Sequence, residues 1–463
     1  MAKNLDIRNG DIGKLLWEFS LPAIIGVLVS ALYNIIARIF VGRGIGSVAI
    51  AATTVAFPIM TINIAVAMLI GVGATALISI RLGQHKMREA EKIAGNATLL
   101  LILLPLILSC IYFLFSNPIL MLFGSSQEVL PYARDYIHII MLGIVPGAIS
   151  YGMSNFIRAE GNPRFAMLTQ IVAAVINVVL NYIFIFPLGW GIKGAAWGTV
   201  IAQTVTAIWV LHYFFKGNSR IKISLNSLKP QWPIVLKICS IGFAPFAMQI
   251  ANSIQQTILN KTIMAYGGDL GLSAVGIIMS LAMLLIMPIV GISQGAQPLI
   301  GFNYGARQFD RVQETLKKGI IAGTGLAIFG FILIQTYATP IVALFSKGDT
   351  ALTQLTVDGL VIFMALLPIV GFQIIGSNYF QAVGKPIQST ILSLSRQVLF
   401  FIPLLIILPN FWGLKGVWRT APIADAFAVT LTALLLFFEF RRMNQKKSVE
   451  FEQVNHKLEP RLE

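Results

Sequence analysis

Charged side chains are scarce in this sequence. Asp, Glu, Lys and Arg make up 11% of its 463 residues, whereas an ordinary soluble domain contains roughly 25%. Hydrophobic residues account for 56%, and they fall into runs of about twenty or more, the length that a helix needs to cross a ~30 Å hydrocarbon layer. These runs lack the alternating pattern of a membrane β-barrel. We therefore expect an all-α, polytopic membrane protein.

Residues that build disulfide, metal or catalytic sites are also few. The two cysteines, Cys110 and Cys239, lie inside apolar runs, so the sequence does not indicate a disulfide framework. It contains no Walker loop, zinc ligand set or nucleophile elbow, which disfavours an enzyme or an ATP-driven pump and predicts no metal or organic cofactor. The polar N-terminus leads into an apolar segment without a small-residue cleavage site, so we expect no removable signal peptide.

Twelve apolar segments are long enough to span a membrane. They are expected at residues 14–40, 48–80, 93–115, 130–157, 164–187, 193–215, 234–265, 271–303, 315–345, 352–380, 386–408 and 414–440. Six spans in each half predict an N-lobe at 1–215, a cytoplasmic linker at 216–233, a C-lobe at 234–440 and a polar cytoplasmic tail at 441–463.

The net charge of +15 is distributed unevenly along the chain. Basic residues cluster in alternate loops, including 81–92, the linker 216–233 and 307–318, whereas the intervening loops hold few. The positive-inside rule therefore places both termini and the linker in the cytoplasm. We interpret the positive charge as loop charge and expect no nucleic-acid partner.

An internal repeat relates the two halves. SNFIRAEGNP at 154–163 returns as SNYFQAVGKP at 377–386, and GIKGAAWGT at 191–199 returns as GLKGVWRTA at 413–421. An even number of spans separates the copies, so the halves run parallel and are related by a pseudo-two-fold axis along the membrane normal. This plan predicts a substrate cavity between two lobes that rock against each other and open it to alternate sides of the membrane. The duplication can also be only a way to build a helical bundle.

Asp425 is the clearest ionisable residue at membrane depth. Arg396 lies about ten residues, or about 15 Å, into its span, and Asp425 lies at a similar depth on the next span. Buried charges are costly in a membrane and therefore point to function. The pair is either a proton-coupling device or a static ion pair that fixes the last two helices.

Uncharged polar side chains are numerous within the spans. Asn177 and Asn181 are four residues apart and share one helix face. Such residues often only join helices, but their distribution also suits a hydrated cavity. The candidates for that cavity are Tyr33, Asn34, Gln203, Gln249, Asn252, Gln255, Gln256, Gln294, Gln297, Gln373 and Asn378.

Several motifs in their order along the chain resemble the multidrug and toxic compound extrusion (MATE) family, nearest its bacterial multidrug efflux branch. They include FSLPAIIGVLVSALYNII (19–36), IRAEGNP (157–163), NVVLNYIFIF (177–186), GAAWGTVIAQ (194–203), GAQPLIGFNYGA (295–306) and PIAD (422–425). The resemblance implies a V-shaped antiporter that exports cationic or amphipathic small molecules in exchange for H⁺ or Na⁺. It further implies a monomer among the lipids of the bacterial inner membrane.

The resemblance also implies a cation site in the N-lobe, which falls here on Ala37, Asn177, Asn181 and Thr199. Family members commonly carry an acid in the first span and often another in the fifth, but Ala37 and Asn181 are neutral and cannot take up a proton. Three explanations are open: an engineered substitution at 37, coupling moved to Asp425 and Arg396, or transport that is passive or uses a different ion.

Two other functions fit the same architecture. A lipid or lipid-linked oligosaccharide flippase is expected to have more arginines in its cavity, whereas these spans carry mostly amides and aromatic rings, which suit lipophilic cations. A scaffold or sensor that does not transport is the other alternative. Substrate-stimulated ion flux distinguishes a transporter from it.

Overall fold

A computed structural model describes residues 6–217, 219–346 and 349–458 of this chain. Residues 1–5, 218, 347–348 and 459–463 lie outside the described part, so the predicted linker and tail are described only in part. The N-terminal half contains α1 (Ile12–Gly44), α2 (Ser47–Gly83), α3 (Met87–Leu122), α4 (Leu130–Leu142), α5 (Ile144–Ala159), α6 (Pro163–Ile185) and α7 (Gly191–Phe215). The C-terminal half contains α8 (Trp232–Gly305), α9 (Phe309–Ser346), α10 (Thr350–Phe363), α11 (Leu367–Ala382), α12 (Pro386–Leu394), α13 (Ile402–Trp412) and α14 (Leu414–Leu458).

The prediction of an all-α membrane protein is confirmed. Within the described residues, nine helical segments are long and apolar enough to span a membrane, and two bent pairs, α4 with α5 and α10 with α11, bring the number to 11. The 74-residue α8 contains a break at Gly268, where φ is 58° and ψ is −157°. An unbroken helix of that length would span several bilayers, so α8 contains two spans, which gives the predicted twelve. We call α1–α7 the N-lobe and α8–α14 the C-lobe.

Side-chain caps mark the start of two N-lobe spans, α1 and α6. The side chain of Asp11 accepts a hydrogen bond from the Lys14 backbone at the start of α1, and Asn162 does the same for Phe165 before Pro163 opens α6. Both arrangements satisfy a backbone N–H that has no partner within the helix. Proline is tolerated in the first turn of a helix, because a backbone N–H at that position would have no partner within the helix.

The two lobes pack closely at the end of the bundle that carries the basic loops and the linker, which we call the basic end. A Cβ atom on Gly242 would lie 1.7 Å from the Leu69 carbonyl oxygen, and one on Gly83 would lie 2.0 Å from that of Phe302. Only glycine permits such backbone contact between helices. These positions therefore hold α2 of the N-lobe against both halves of α8.

The opposite ends of the lobes do not share a core. Leu15, Leu16 and Phe19 pack into the core of the C-lobe, and Ile238 and Ile241 pack into that of the N-lobe near the basic end. The remaining N-lobe core, from residue 41 to residue 200, contains no C-lobe residue. The lobes thus meet at the basic end and leave a cleft between them toward the other end.

Candidate functional site

An ion pair joins Arg396 and Asp425 inside the C-lobe. The Nε atom of Arg396 donates to Oδ1 of Asp425, and the two side chains are 26% and 8% exposed. Arg396 lies in a π-helical turn, Ser395–Phe401, that separates α12 from α13, and Asp425 lies on α14, three residues after Pro422. Both sequence neighbourhoods favour distortion, since Pro403 and Pro422 cannot supply a backbone N–H to the helical ladder.

Amide side chains extend from this pair toward the cleft. Gln397, the neighbour of Arg396, donates from Nε2 to Oδ1 of Asn252 on α8 at 2.9 Å, and Asn252 donates to Oε1 of Gln249 at 3.4 Å. Oε1 of Gln397 is buried and accepts no hydrogen bond from a protein atom. A buried acceptor of this kind commonly binds water. Exposed Asn252 therefore connects the surface of the first half of α8 to the neighbourhood of the ion pair.

The N-lobe has a neutral cluster where the family resemblance predicts a cation site. Asn181 donates to Oδ1 of Asn177 at 2.9 Å, and Asn177 donates to the Thr199 hydroxyl at 3.1 Å. Asn177 and Asn181 are 3% and 1% exposed, and Oδ1 of Asn181 accepts no hydrogen bond from a protein atom. These oxygens are hard ligands that a cation such as Na⁺ can use, but the cluster contains no charge to compensate it.

Ala37 lies on α1 at about the level of this cluster. Gly26 of α1 packs against Gln170 of α6, and Gly44 packs against Ile185, so the two helices run side by side. Ala37 lies between those two contacts, near the height of Asn181. The structure therefore places a methyl group where the family resemblance predicts the coupling acid.

The other predicted cavity residues occupy different parts of the molecule. Gln256 donates to Asn260 at 3.0 Å on the exposed side of α8, which it shares with Asn252. Gln294 lies at the lobe interface, where it accepts a hydrogen bond from Arg158. Asn378 lies in the C-lobe interior, where it donates a hydrogen bond to Ser293. Gln297 and Gln373 are buried, Gln255 is half-buried, Gln203 lies against Gly147, and Tyr33 and Asn34 lie on α1. The structure thus brings together Gln249 and Asn252 with the C-lobe pair, but not the whole predicted set.

Arg158 makes a contact between the lobes that the sequence does not reveal. It is 5% exposed, and its Nη1 donates to Oε1 of Gln294 on α8 at 2.6 Å. Its Nη2 lies 3.1 Å from the amide of Gln170, which in turn lies 3.0 Å from the Gly26 carbonyl oxygen. Its charge is therefore solvated by two amides, one from each lobe, and this arrangement requires the lobes to meet at the basic end.

Arg419 contacts an aromatic ring. Its guanidinium is centred 4.7 Å from the ring centroid of Trp412, at the junction of α13 and α14. This is a cation–π contact, and it leaves Arg396 as the partner of Asp425. Within the described residues, no three His, Cys, Asp or Glu side chains form a group that could hold a metal ion.

A family model described as MatE matches residues 22–183 and 245–407. The two stretches are similar in length and lie in opposite halves, as the internal repeat predicts. The chain is 27% identical over 428 residues to the multidrug export protein MepA of Staphylococcus aureus strain N315, covering 92% of this chain and 94% of that protein. It is also 27% identical to MepA of Staphylococcus haemolyticus strain JCSC1435 over 441 residues, covering 95% and 97%.

Solved structures share this fold. One is described as the outward-facing conformation of a multidrug resistance MATE family transporter of the MOP superfamily, with a TM-score of 0.91, 24% identity, and coverage of 96% of this chain and 99% of that one. Another is a MOP superfamily transporter from Pyrococcus furiosus, with a TM-score of 0.90 and the same identity and coverage. At this identity the likeness concerns the fold alone.

Proposed function

Because this chain belongs to the MatE family, whose bacterial members include multidrug export proteins, we propose that it exports cationic or amphipathic small molecules in antiport with H⁺ or Na⁺. The coupling group in this proposal is the Arg396–Asp425 pair of the C-lobe. It acts in place of the N-lobe cluster, which has no titratable carboxyl group.

The observation that carries the proposal is an acid at membrane depth connected to a polar surface. Asp425 is 8% exposed, and its Oδ1 accepts a hydrogen bond from Nε of Arg396. Gln397 and Asn252 connect this region to exposed amides on α8. A proton or a substrate cation that reaches the cleft can therefore influence the pair without crossing the apolar core.

Protonation of Asp425 would remove one charge of the pair and weaken its bond to Arg396. The freed guanidinium would then need new acceptors, because an unpaired buried charge is strongly unfavourable. Gln397, next to Arg396 in the π-helical turn, has a free acceptor in Oε1. We propose that this turn rearranges when Asp425 is protonated and that it changes the shape of the cleft on the C-lobe side.

Membrane placement follows from the same proposal. The basic end would face the cytoplasm, so that both termini and the linker lie inside a bacterial inner membrane. The cleft between the lobes would then open to the outside, where exported molecules are released. The transporter would work as a monomer in contact with membrane lipids, since each chain contains both lobes, and it would need no organic cofactor.

Efflux of ethidium from proteoliposomes tests this proposal. The vesicles would carry an imposed proton gradient or an imposed Na⁺ gradient, and the unaltered chain would be compared with Asp425→Asn. We expect one of the gradients to drive efflux by the unaltered chain and Asp425→Asn to abolish it.

The control variant is Glu439→Gln. It removes the acid of another C-lobe ion pair, in which Lys385 is the base, and the Glu439 side chain is 5% exposed. Efflux by Asp425→Asn at the rate of the unaltered chain would refute C-lobe coupling. Inactivity of the unaltered chain that Ala37→Asp reverses would place coupling in the N-lobe. Inactivity of both would favour a flippase or a scaffold.

A further inference from the structure

Two arginines from distant segments line a cavity at the basic end. The cavity has a volume of about 340 Å³, and Arg8, Arg220 and Phe302 are among the residues that line it. Both arginines are exposed, and neither guanidinium group forms an ion pair with an acid of the described chain. The proposed transport mechanism does not use these charges.

The segment that carries Arg8 is fixed to the C-lobe. Arg311 of α9 donates from Nη2 to the backbone oxygens of Ile7 at 3.1 Å and Gly10 at 2.7 Å, and Ile7 packs into the C-lobe core. The Arg8 side chain reaches the N-lobe, where its Nη1 lies 2.7 Å from Nε2 of His85 in the turn after α2. A neutral imidazole accepts this hydrogen bond and leaves the charge of Arg8 uncompensated.

The segment that carries Arg220 is fixed to the N-lobe. Its backbone N–H donates to Oε2 of Glu160 at 3.1 Å, and the Ser219 hydroxyl donates to the same oxygen at 2.7 Å. The next residue, Ile221, is fully buried in the N-lobe core. These contacts hold the backbone and leave the guanidinium group of Arg220 exposed. The two arginines therefore reach the cavity from segments that belong to opposite lobes.

Two acids, Asp6 and Glu160, also line the cavity, but they bind other groups. Oδ1 of Asp6 accepts hydrogen bonds from the backbone N–H groups of Arg8 at 3.1 Å and Asn9 at 3.3 Å. Glu160 is 3% exposed, and its carboxyl group interacts with the Tyr213 hydroxyl as well as with the linker. Neither acid binds a guanidinium group, so both arginines keep N–H donors for a ligand.

Two such guanidinium groups have the chemistry to bind a phosphate group. The planar fork of N–H donors on arginine matches the spacing of phosphate oxygens, and these charge-assisted hydrogen bonds are strong. A phosphomonoester carries nearly two negative charges at neutral pH, about one for each arginine. Leu82 and Phe302 are half-buried and provide apolar surface for an organic substituent. The volume of the cavity is within the range of small-molecule sites.

We propose that Arg8 and Arg220 bind a phosphate-bearing anion in this cavity, either a free phosphomonoester or the phosphate headgroup of a lipid. The ligand would join a segment fixed to the C-lobe to one fixed to the N-lobe. Since Gly83 packs directly on the Phe302 backbone, the cavity has this shape only while the lobes meet at the basic end. The ligand would therefore stabilise that closed conformation. Its effect on efflux rests on the proposed function, whereas its binding does not.

Phenyl phosphate and benzyl alcohol test the proposal, because both carry a phenyl ring and only the first carries a phosphate group. Each would be titrated at constant ionic strength against the purified full-length protein in detergent, with binding measured by calorimetry. We expect saturable binding of phenyl phosphate and no binding of benzyl alcohol. Arg8→Gln and Arg220→Gln should each weaken the binding of phenyl phosphate by roughly tenfold, since each removes a charge-assisted contact.

Arg88→Gln is the matched control. It removes one positive charge from the same end of the bundle, and Arg88 is exposed and is not among the residues that line the cavity. This variant should bind phenyl phosphate like the unaltered chain. Equal weakening by all three substitutions would overturn the proposal, because it would show a general attraction to the basic end. Unchanged affinity in Arg8→Gln and Arg220→Gln would also overturn it, and if one of these variants does not fold, the other decides.

Lipid nanodiscs distinguish the two sources of the phosphate group. Phosphatidic acid in phosphatidylcholine nanodiscs should weaken the binding of phenyl phosphate if a lipid headgroup occupies the site, and should leave it unchanged if the ligand is a free phosphomonoester.

Ethidium efflux tests the effect on conformation. Phenyl phosphate should slow efflux by the unaltered chain, and should slow it less in the double variant Arg8→Gln with Arg220→Gln. Efflux that phenyl phosphate does not slow would overturn the stabilisation of the closed basic end. Saturable, arginine-dependent binding to a chain that shows no efflux would contradict the proposed function and support the site.

Discussion

The N-lobe and the C-lobe repeat one arrangement of helices, but their buried polar groups differ in charge. GTVIAQ at 198–203 corresponds in the repeat to TAPIAD at 420–425, so neutral Gln203 occupies the place of Asp425. The N-lobe has a cluster of two amides and a hydroxyl, in which Asn177 is central. The C-lobe has the ion pair beside a π-helical turn. The duplicated fold therefore does not require duplicated chemistry, and one lobe can change its charges while the other keeps an acid.

Removal of the arginine from the C-lobe pair should have the largest effect. Arg396→Gln leaves Asp425 buried without its cation, which costs about 3–5 kcal/mol in comparable buried pairs. Gradient-driven efflux should be lost, because the carboxyl group no longer has the guanidinium partner on which the proposed coupling depends. The measurement is the thermal midpoint in detergent together with ethidium efflux from proteoliposomes.

Arg396→Lys is the matched control, because it keeps a positive charge at the same position. It should retain more stability and more efflux than Arg396→Gln. If Arg396→Gln transports at the rate of the unaltered chain, the pair is only structural, and the contrast between the lobes has no functional meaning.

Disruption of the N-lobe cluster should reduce stability and leave coupling intact. Asn177→Ala removes the acceptor of Asn181 and the donor to Thr199, so that buried polar groups lose their partners. An unsatisfied buried group costs about 1–3 kcal/mol. The thermal midpoint should fall, while the number of protons or Na⁺ ions moved per ethidium should stay the same. A change in that ratio would show that the N-lobe takes part in coupling.

An acid returned to the N-lobe should partly replace the C-lobe acid. In the double variant Ala37→Asp with Asp425→Asn, the new carboxyl group lies near the level of Asn181 on the neighbouring helix α6. We expect efflux to recover to roughly a tenth of that of the unaltered chain, a loss of about 1.4 kcal/mol in the driving step. The same assay on Asp425→Asn alone gives the baseline. No recovery would show that the N-lobe has lost more than its acid.

The sequence predicted the fold better than the site. Runs of apolar residues and basic loops are local features, so the twelve spans and the repeat could be identified, and the depths of Arg396 and Asp425 followed from helix geometry. The Arg158–Gln294 contact depends on how two distant lobes meet, which no local pattern encodes. The contacts of Glu160 with the Ser219 hydroxyl and the Arg220 backbone N–H were equally hidden, since they join segments about 60 residues apart.

The smallest expected effect concerns Arg419, the other arginine near Asp425 in the sequence. Its guanidinium stacks on Trp412, and an exposed contact of this kind contributes about 0.5–1 kcal/mol. Arg419→Ala should therefore lower the thermal midpoint slightly and leave coupled efflux unchanged, in contrast to Arg396→Gln. Trp412→Leu should give a similar small decrease, since it removes the ring and keeps the charge. If Arg419→Ala reduced efflux as strongly as Arg396→Gln, both arginines would act on Asp425, and the coupling site would extend to the start of α14.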